Sequence, residues 1–275
     1  MRTLLLVLMA SLTLCATSPG EGLGLQLWSL RQDLAADPGK GLDEVKALGL
    51  TAVETHSTYG LTPAQFRRLL DVRGLKAASA HFPYERFDRD LAGVIVEAKV
   101  LGASYVILPW LPQERFDEAA ARDLAAHLNT WGARLRLAGL KLGYHPHGFE
   151  FVPLSSGGTV FDLLVGATHP DEVCFELDVF WAAHAGANPV ALLSRYPDRF
   201  KLLHVKDLRR GAAITPTRSA PEADNVAVGQ GQIDWQKLLG VAERIGVEYY
   251  FLEDETSAPK ANLPISMAFI KAFKP

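Results

Sequence analysis

Eight short apolar runs, separated by longer polar-and-apolar segments, constrain the fold of this chain more than any other feature of its sequence. Their hydrophobicity is nearly continuous rather than alternating, which is typical of parallel strands covered on both faces. Strands that alternate with helices predict βαβ units and a parallel sheet. The runs cover residues 22–28, 51–55, 75–81, 104–110, 141–145, 172–178, 199–207 and 247–254.

The segments between these runs carry apolar residues at helical spacing. Residues 62–74 begin with Thr62 and Pro63, which suit a cap and a first turn, and end in Gly74. Eight strands that alternate with helices predict an α/β protein with a single (β/α)₈ TIM barrel. An open doubly wound sheet is the alternative, but it does not explain eight evenly spread strands, and no glycine-rich phosphate loop follows the first run. The other helical segments are 41–50, 90–102, 117–140, 188–200 and 234–246.

The first twenty residues have the layout of a secretory signal peptide. Arg2 precedes an apolar run at 4–14, and small residues follow. This run is shorter than the roughly 20 residues that a membrane-spanning helix needs. We therefore expect a signal peptide at 1–20 and a barrel at 21–275. The protein would be exported, periplasmic or secreted, with no stable membrane insertion after cleavage. The alternatives are an uncleaved anchor, a disordered tail or a lipoprotein modified at Cys15.

Composition and cysteine count exclude several classes of protein. The chain has 28 Lys and Arg against 31 Asp and Glu, a net charge of −3, which argues against a nucleic-acid partner. Beyond the first twenty residues Cys174 is the one cysteine, so no internal disulfide is expected. Residues 209–232 are rich in Gly, Pro, Ala and Thr and follow the seventh strand. They predict a long loop, either at the site or as surface decoration.

Ionisable side chains occur at the ends of the last four predicted strands. In a (β/α)₈ barrel the carboxyl ends of all strands meet at one face, where active sites are built. Glu150, Asp178, His204 and Glu253 are therefore predicted to share one divalent cation. Mostly oxygen ligands favour Mn²⁺ or Mg²⁺, of which Mn²⁺ is the expected metal, while Co²⁺ and Zn²⁺ remain compatible. Taken singly, Asp178 could be a helix cap and His204 a core histidine.

Five further residues are candidates for binding a substrate. Lys206 follows His204 by two positions and so lies on the same face of its strand. Strand alternation leads us to expect that His145 points away from the site. Trp181 would stack on a sugar ring or belong to the core. The five candidates are His147, Lys206, Trp181, His81 and Glu54.

Several motifs resemble the sugar isomerase/epimerase superfamily with xylose isomerase-like barrels. The resemblance implies one divalent metal held by Glu150, Asp178, His204 and Glu253, with both glutamates also transferring protons. Relatives that epimerise free ketoses often carry a histidine three residues after the strand 6 aspartate. Trp181 stands there in this chain, which leaves the substrate open. The matching segments are 24–34, 144–151, 176–207, 228–235 and 249–255.

The expected function is a metal-dependent sugar isomerase or epimerase that acts through an enediolate of a keto or aldo sugar. A lyase or dehydratase acting on oxidised (3-keto) glycosides would use the same first step. A non-catalytic carbohydrate-binding protein is a further alternative, and a metal-dependent endonuclease is disfavoured by the net charge and the signal. The expected partner is a small-molecule sugar or glycoside, and a homo-oligomer is left open.

Overall fold

Eight parallel strands close into a barrel in this computed structural model, which describes residues 19–111, 117–217 and 219–274. Around the barrel each strand is a neighbour of the strands before and after it in the chain, and the first pairs with the last. The predicted (β/α)₈ barrel is confirmed, and the open sheet is excluded. The strands are β1 (Leu23–Gln26), β2 (Ala52–Thr55), β3 (Lys76–His81), β4 (Tyr105–Leu108), β5 (Lys141–Tyr144), β6 (Val173–Asp178), β7 (Phe200–Val205) and β8 (Tyr249–Leu252).

Ten α-helices are found in the described part of the chain, and local sequence explains where several begin. Thr62 and Gln65 form a reciprocal capping box, so the predicted cap at Thr62 is confirmed. No helix in the described ranges is both long and apolar enough to cross a membrane. The helices are α1 (Arg31–Ala36), α2 (Pro38–Ala47), α3 (Pro63–Asp71), α4 (Tyr84–Leu101), α5 (Glu118–Leu137), α6 (Val160–Ala167), α7 (Val179–His184), α8 (Pro189–Arg195), α9 (Trp235–Arg244) and α10 (Pro259–Lys271).

The barrel has an apolar layer in its interior, separate from the larger core between strands and helices. On β5, Gly143 belongs to this interior, because a Cβ atom there would lie 2.4 Å from Cδ1 of Ile107. Side chains two positions apart on a strand share a face. His145 therefore follows Gly143 into the barrel. The buried interior layer contains Ala52, Ala78, Tyr105, Ile107, Leu202 and Phe251.

Strand register brings polar residues together at the carboxyl ends of neighbouring strands. Asp178 of β6 lies opposite His204 of β7, and His204 lies opposite Phe251 of β8. Glu253 follows Phe251 by two positions, at the end of β8. The polar layer therefore stands on an apolar floor, at the carboxyl ends of the strands.

The predicted loop after β7 is confirmed, and one buried carboxylate organises it. Asp207 accepts hydrogen bonds from the backbone N–H groups of Leu208, Gly229, Gly231 and Ile233, and from the indole N–H of Trp235. Residues Asp207–Leu208 and Asn225–Val226 also pair as a short antiparallel ladder. The loop is therefore tied to the barrel at both ends.

The predicted signal peptide falls largely on residues 1–18, which lie outside the described residues, as does Cys15.

Candidate active site

Asp178, His204 and Glu253 converge at the mouth of the barrel. His204 Nδ1 is 3.1 Å from Glu253 Oε2 and 3.8 Å from Asp178 Oδ2. One ligand atom from each residue lies within 4.8 Å of the others, so the three side chains can hold a metal ion. Asp178 Oδ2 is buried and has no hydrogen-bond partner among the described residues. A buried carboxylate oxygen without a partner is costly, and a cation would remove that cost.

Asp178 is also a helix cap, as the alternative interpretation of this residue predicted. Its Oδ1 atom accepts a hydrogen bond of 2.8 Å from the backbone N–H of Trp181, at the start of α7. Burial raises the pKa of Asp178, while the positive charge of Lys206 opposes that rise. The cap fixes one carboxylate oxygen and leaves the other facing His204.

Glu150 lies outside both groups of potential metal ligands that the described residues form. Its side chain is buried, and its two oxygens accept hydrogen bonds from the Tyr144 hydroxyl at 2.5 Å and from the His147 backbone N–H at 3.0 Å. The chain leaves β5 at Tyr144 and enters a 3₁₀ turn at Phe149–Phe151, which folds this carboxylate back against the strand end. The structure thus brings together three of the four predicted ligands.

His145 is the strand 5 residue that stands beside Asp178. Its Nε2 atom is 4.0 Å from Asp178 Oδ2, and its ring centroid is 4.5 Å from that of His204. The prediction that His145 points away from the site is wrong. Alternation along β5 runs through the inward Gly143, so His145 faces inward too.

A second group of carboxylates and imidazoles lies deeper in the barrel. Glu176 Oε2 is 3.0 Å from His145 Nδ1, 3.1 Å from His81 Nε2 and 3.3 Å from His204 Nε2. Glu54 Oε1 is 2.6 Å from His204 Nε2 and 2.8 Å from His81 Nε2. These side chains form one connected network with the upper three, and His204 belongs to both.

Opposite charges in this network stabilise one another, as the pKa shifts show. Burial alone would lower the pKa of His81, but Glu54 and Glu176 outweigh burial and raise it to about 9. Burial alone would raise the pKa of Glu176, but the neighbouring imidazoles hold it well below its usual range. The pKa of Glu253 is lowered in the same way, since Lys206 and His204 outweigh its burial.

Lys206 is a buried cation beside this network, not a solvated surface lysine. Its ammonium group lies 3.6 Å from Glu253 Oε2 and donates a hydrogen bond to Glu255. It also lies 4.9 Å above the ring of Phe180 and 5.5 Å above that of Trp181. Burial would lower the pKa of Lys206, but Glu253 and Glu255 outweigh burial and raise it.

A cavity of about 390 Å³ opens above the network. Three tryptophans form much of its wall, and His147 stands between two of them, with ring centroids 5.2 Å from Trp110 and 5.5 Å from Trp181. Burial, followed by the positive charges of His145 and Lys206, holds the pKa of His147 well below its usual range. The cavity is lined by Gln26, Trp28, His56, His81, Pro109, Trp110, His145, His147, Trp181, His204, Glu253 and Glu255.

Of the five predicted substrate-binding residues, His147, Trp181 and His81 line this cavity. Glu54 is fully buried beneath it, where its carboxylate accepts a hydrogen bond from Gln26. Sequence reasoning missed Glu176, although it precedes Asp178 by two positions in β6 and therefore shares its face. Gln26 was missed as well, because a single amide at the end of β1 carries no ionisable signal.

The fold and the site together define a (β/α)₈ enzyme with an acid-and-imidazole centre at the carboxyl ends of its strands. A family model described as xylose isomerase-like TIM barrel matches residues 42–273, and the chain belongs to that family. It is 27% identical to an inosose dehydratase of Lacticaseibacillus casei over 81% of this chain and 84% of that protein.

Two solved structures illustrate the likeness of the fold. A sugar phosphate isomerase/epimerase from Parabacteroides distasonis is 25% identical and superposes with a TM-score of 0.77, covering 96% of this chain and 98% of its own. A protein described as IOLI with a bound zinc atom is 17% identical, with a TM-score of 0.69 over 91% of this chain and 95% of its own.

Proposed function

We propose that this protein is a divalent-metal-dependent enzyme that removes a proton next to the carbonyl group of a keto sugar or keto cyclitol, and that loss of water then occurs. The observation that carries the proposal is the convergence of Asp178, His204 and Glu253 beneath a tryptophan-lined cavity. Pockets that bind small molecules in this way have volumes of roughly 300–1,000 Å³.

The residues present fit a divalent cation. We propose Asp178, His204 and Glu253 as its ligands, with His145 in place of the expected Glu150, because the unpartnered Asp178 Oδ2 faces both imidazoles. When bound, such a cation polarises a carbonyl oxygen and acidifies the neighbouring C–H bond. Two carboxylates and two imidazoles suit Zn²⁺ as well as the Mn²⁺ expected from sequence. The bound zinc of the IOLI protein is in keeping with that choice.

The side chains that meet the substrate have distinct proposed roles. Glu253 lies on the cavity wall, where its carboxylate is placed to accept a proton from the substrate. His81 lines the same cavity from β3, and its imidazole is placed to exchange a proton with the leaving oxygen. His147 would hydrogen-bond a substrate hydroxyl. Glu150 would hold the turn that carries His147, since it binds that residue's backbone N–H.

Loss of water is favoured over epimerisation by the names of the curated relatives, which are inosose dehydratases. The second candidate is the isomerase or epimerase expected from sequence, and the name of the Parabacteroides distasonis protein favours it. Both reactions begin with the same proton removal and differ in their later steps.

Deuterium incorporation and mass loss distinguish these outcomes. The metal-loaded protein is incubated in D₂O with an inosose and with a panel of ketoses, with and without EDTA. We expect a product lighter by one water, formed only without EDTA. A product of unchanged mass that carries deuterium would favour the epimerase, while no exchange with any compound would contradict the proposal.

Glu253→Gln is the sharpest variant for this test, and Glu248→Gln is its matched control. Glu248 lies at the other end of β8 and binds Lys141 at 2.9 Å, far from the cavity. A general base contributes about 10²–10⁴-fold to the rate, so Glu253→Gln should lower the exchange rate by at least 10²-fold. Glu248→Gln should leave the rate unchanged, and equal losses in both variants would contradict the assignment.

A further inference from the structure

A second cavity of about 390 Å³ lies next to the first, on the same face of the barrel. Glu255 lines both cavities. Three chain segments build the second one: the end of β1 with α1, the loop after β7, and the segment from β8 to α10. Its lining residues are Ser29, Arg31, Gln32, Asp33, Glu222, Glu255, Thr256, Ser257, Ala258, Pro259 and Lys260.

Trp28, Arg31 and Glu255 lie where the two cavities adjoin, and we call these three side chains the ridge. Trp28 lines the first cavity and Arg31 lines the second, and the Arg31 guanidinium lies 4.8 Å above the Trp28 ring. Arg31 also donates a hydrogen bond of 2.9 Å to the Trp28 carbonyl oxygen. Glu255 completes the ridge, and its carboxylate accepts a hydrogen bond from Lys206 below. The ridge is fixed in place by these contacts, and its Trp28 side chain presents an apolar face to the first cavity.

The chemistry of the second cavity differs from that of the first. Its lining carries charges of both signs, since Arg31 and Lys260 stand among three carboxylates. The Lys260 ammonium group is already engaged at 2.7 Å by Asp33 and by Glu44. An anion such as phosphate would therefore meet carboxylates and committed cations. A neutral polyol, which both donates and accepts hydrogen bonds, matches such a mixed lining.

We propose that the second cavity is a subsite for a second sugar unit, so that the substrate is a glycoside or disaccharide whose reacting ring lies in the first cavity. This inference rests on the proposed function for the identity of the reacting ring. The substrate would cross the ridge beside Glu255, and one face of the substrate would lie against Trp28. The proposed subsite concerns binding alone, so it holds whether the enzyme removes water from its substrate or epimerises it.

Filling the second cavity is the direct test of the subsite. Gln32 and Ser257 are exposed residues on its wall, so Gln32→Trp and Ser257→Trp would occupy it without touching the acid-and-imidazole network. Gln236→Trp is the matched control, because Gln236 is an exposed glutamine that lines a separate cavity beside α9. Circular dichroism and thermal melting establish that each variant folds.

Binding to metal-loaded protein is measured by calorimetry with cellobiose, maltose, trehalose and sucrose, and with glucose and myo-inositol as single-ring probes. We expect at least one disaccharide to bind about tenfold more tightly than either single ring. Both cavity-filling variants should abolish that advantage while single-ring binding stays the same. Gln236→Trp should behave as the unmodified protein does.

Two outcomes would overturn the subsite: no disaccharide that binds more tightly than a single ring, or an advantage that survives both cavity-filling variants. Failure of the proposed function has a different signature. A disaccharide advantage without any proton exchange would support the subsite and contradict the enzyme. Exchange on an inosose without any disaccharide advantage would support the enzyme and contradict the subsite.

Discussion

At the scale of single residues, Glu150 is the predicted metal ligand that lies outside both groups of potential ligands among the described residues. Its carboxylate is engaged by Tyr144 and by the His147 backbone, at the end of β5. We predict that Glu150→Gln keeps one metal ion per chain, measured by elemental analysis of purified protein. Loss of these charge-assisted hydrogen bonds should lower the free energy of unfolding by about 1–3 kcal/mol.

Asp178→Asn is the counterpart of that variant. Asn keeps the cap on α7 but removes the carboxylate that faces His204 and His145. We expect Asp178→Asn to lose the metal while its secondary structure, by circular dichroism, stays intact. If Glu150→Gln loses the metal instead, the ligand set expected from sequence is right and the one proposed here is wrong.

At the scale of an element, Asp207 holds the loop after β7. It is fully buried and accepts five hydrogen bonds, four of them from backbone N–H groups. Asparagine would turn an N–H group toward these donors. Because hydrogen bonds to charged groups contribute about 1.5–3 kcal/mol each, Asp207→Asn should lower the free energy of unfolding by at least 2 kcal/mol. Urea unfolding provides the measurement.

Asp234→Asn is the control for this loop variant. Asp234 caps α9 by accepting a hydrogen bond from the Lys237 N–H, at an exposed position where asparagine caps equally well. Its free energy of unfolding should stay within about 0.5 kcal/mol of the unmodified protein. If both variants lower the free energy of unfolding equally, the five hydrogen bonds to Asp207 do not stabilise the loop as proposed.

At the scale of the whole molecule, the metal should stabilise the fold. The carboxylates and imidazoles of the network come from six different strands, so the unfolded chain has no comparable site. A cation at 100 times its dissociation constant would add about 2.7 kcal/mol to the free energy of unfolding. Thermal melting with and without EDTA measures this. An unchanged melting temperature would contradict a metal site at the barrel mouth.

Export is the second prediction at this scale, and we propose it on the layout of residues 1–20 alone. The full-length chain, expressed with a C-terminal tag, should be recovered outside the cytoplasm with its first residues removed. Mass spectrometry of the intact protein gives the cleavage site. Recovery of the uncleaved chain in the cytoplasmic fraction would contradict this prediction.

The sequence by itself determined the architecture of this protein. Eight apolar runs with continuous hydrophobicity are a local property, and each run became a strand of the barrel. The start of the helix capped by Thr62 could also be predicted, because a cap depends on residues only three positions apart. The inward direction of the side chains at the ends of strands 6, 7 and 8 could also be predicted from the sequence. Two-residue alternation carries a side chain's direction to the end of its strand.

Only the tertiary structure decided which side chains meet. Alternation still carries His145 inward just past the end of β5, but it does not reach Glu150, which the 3₁₀ turn folds back against the strand end. The deep contacts of Glu54 and Glu176 with His81 and His204 join residues up to 150 positions apart. Their existence depends on barrel closure and strand register. These are properties of the whole chain, and no local pattern encodes them.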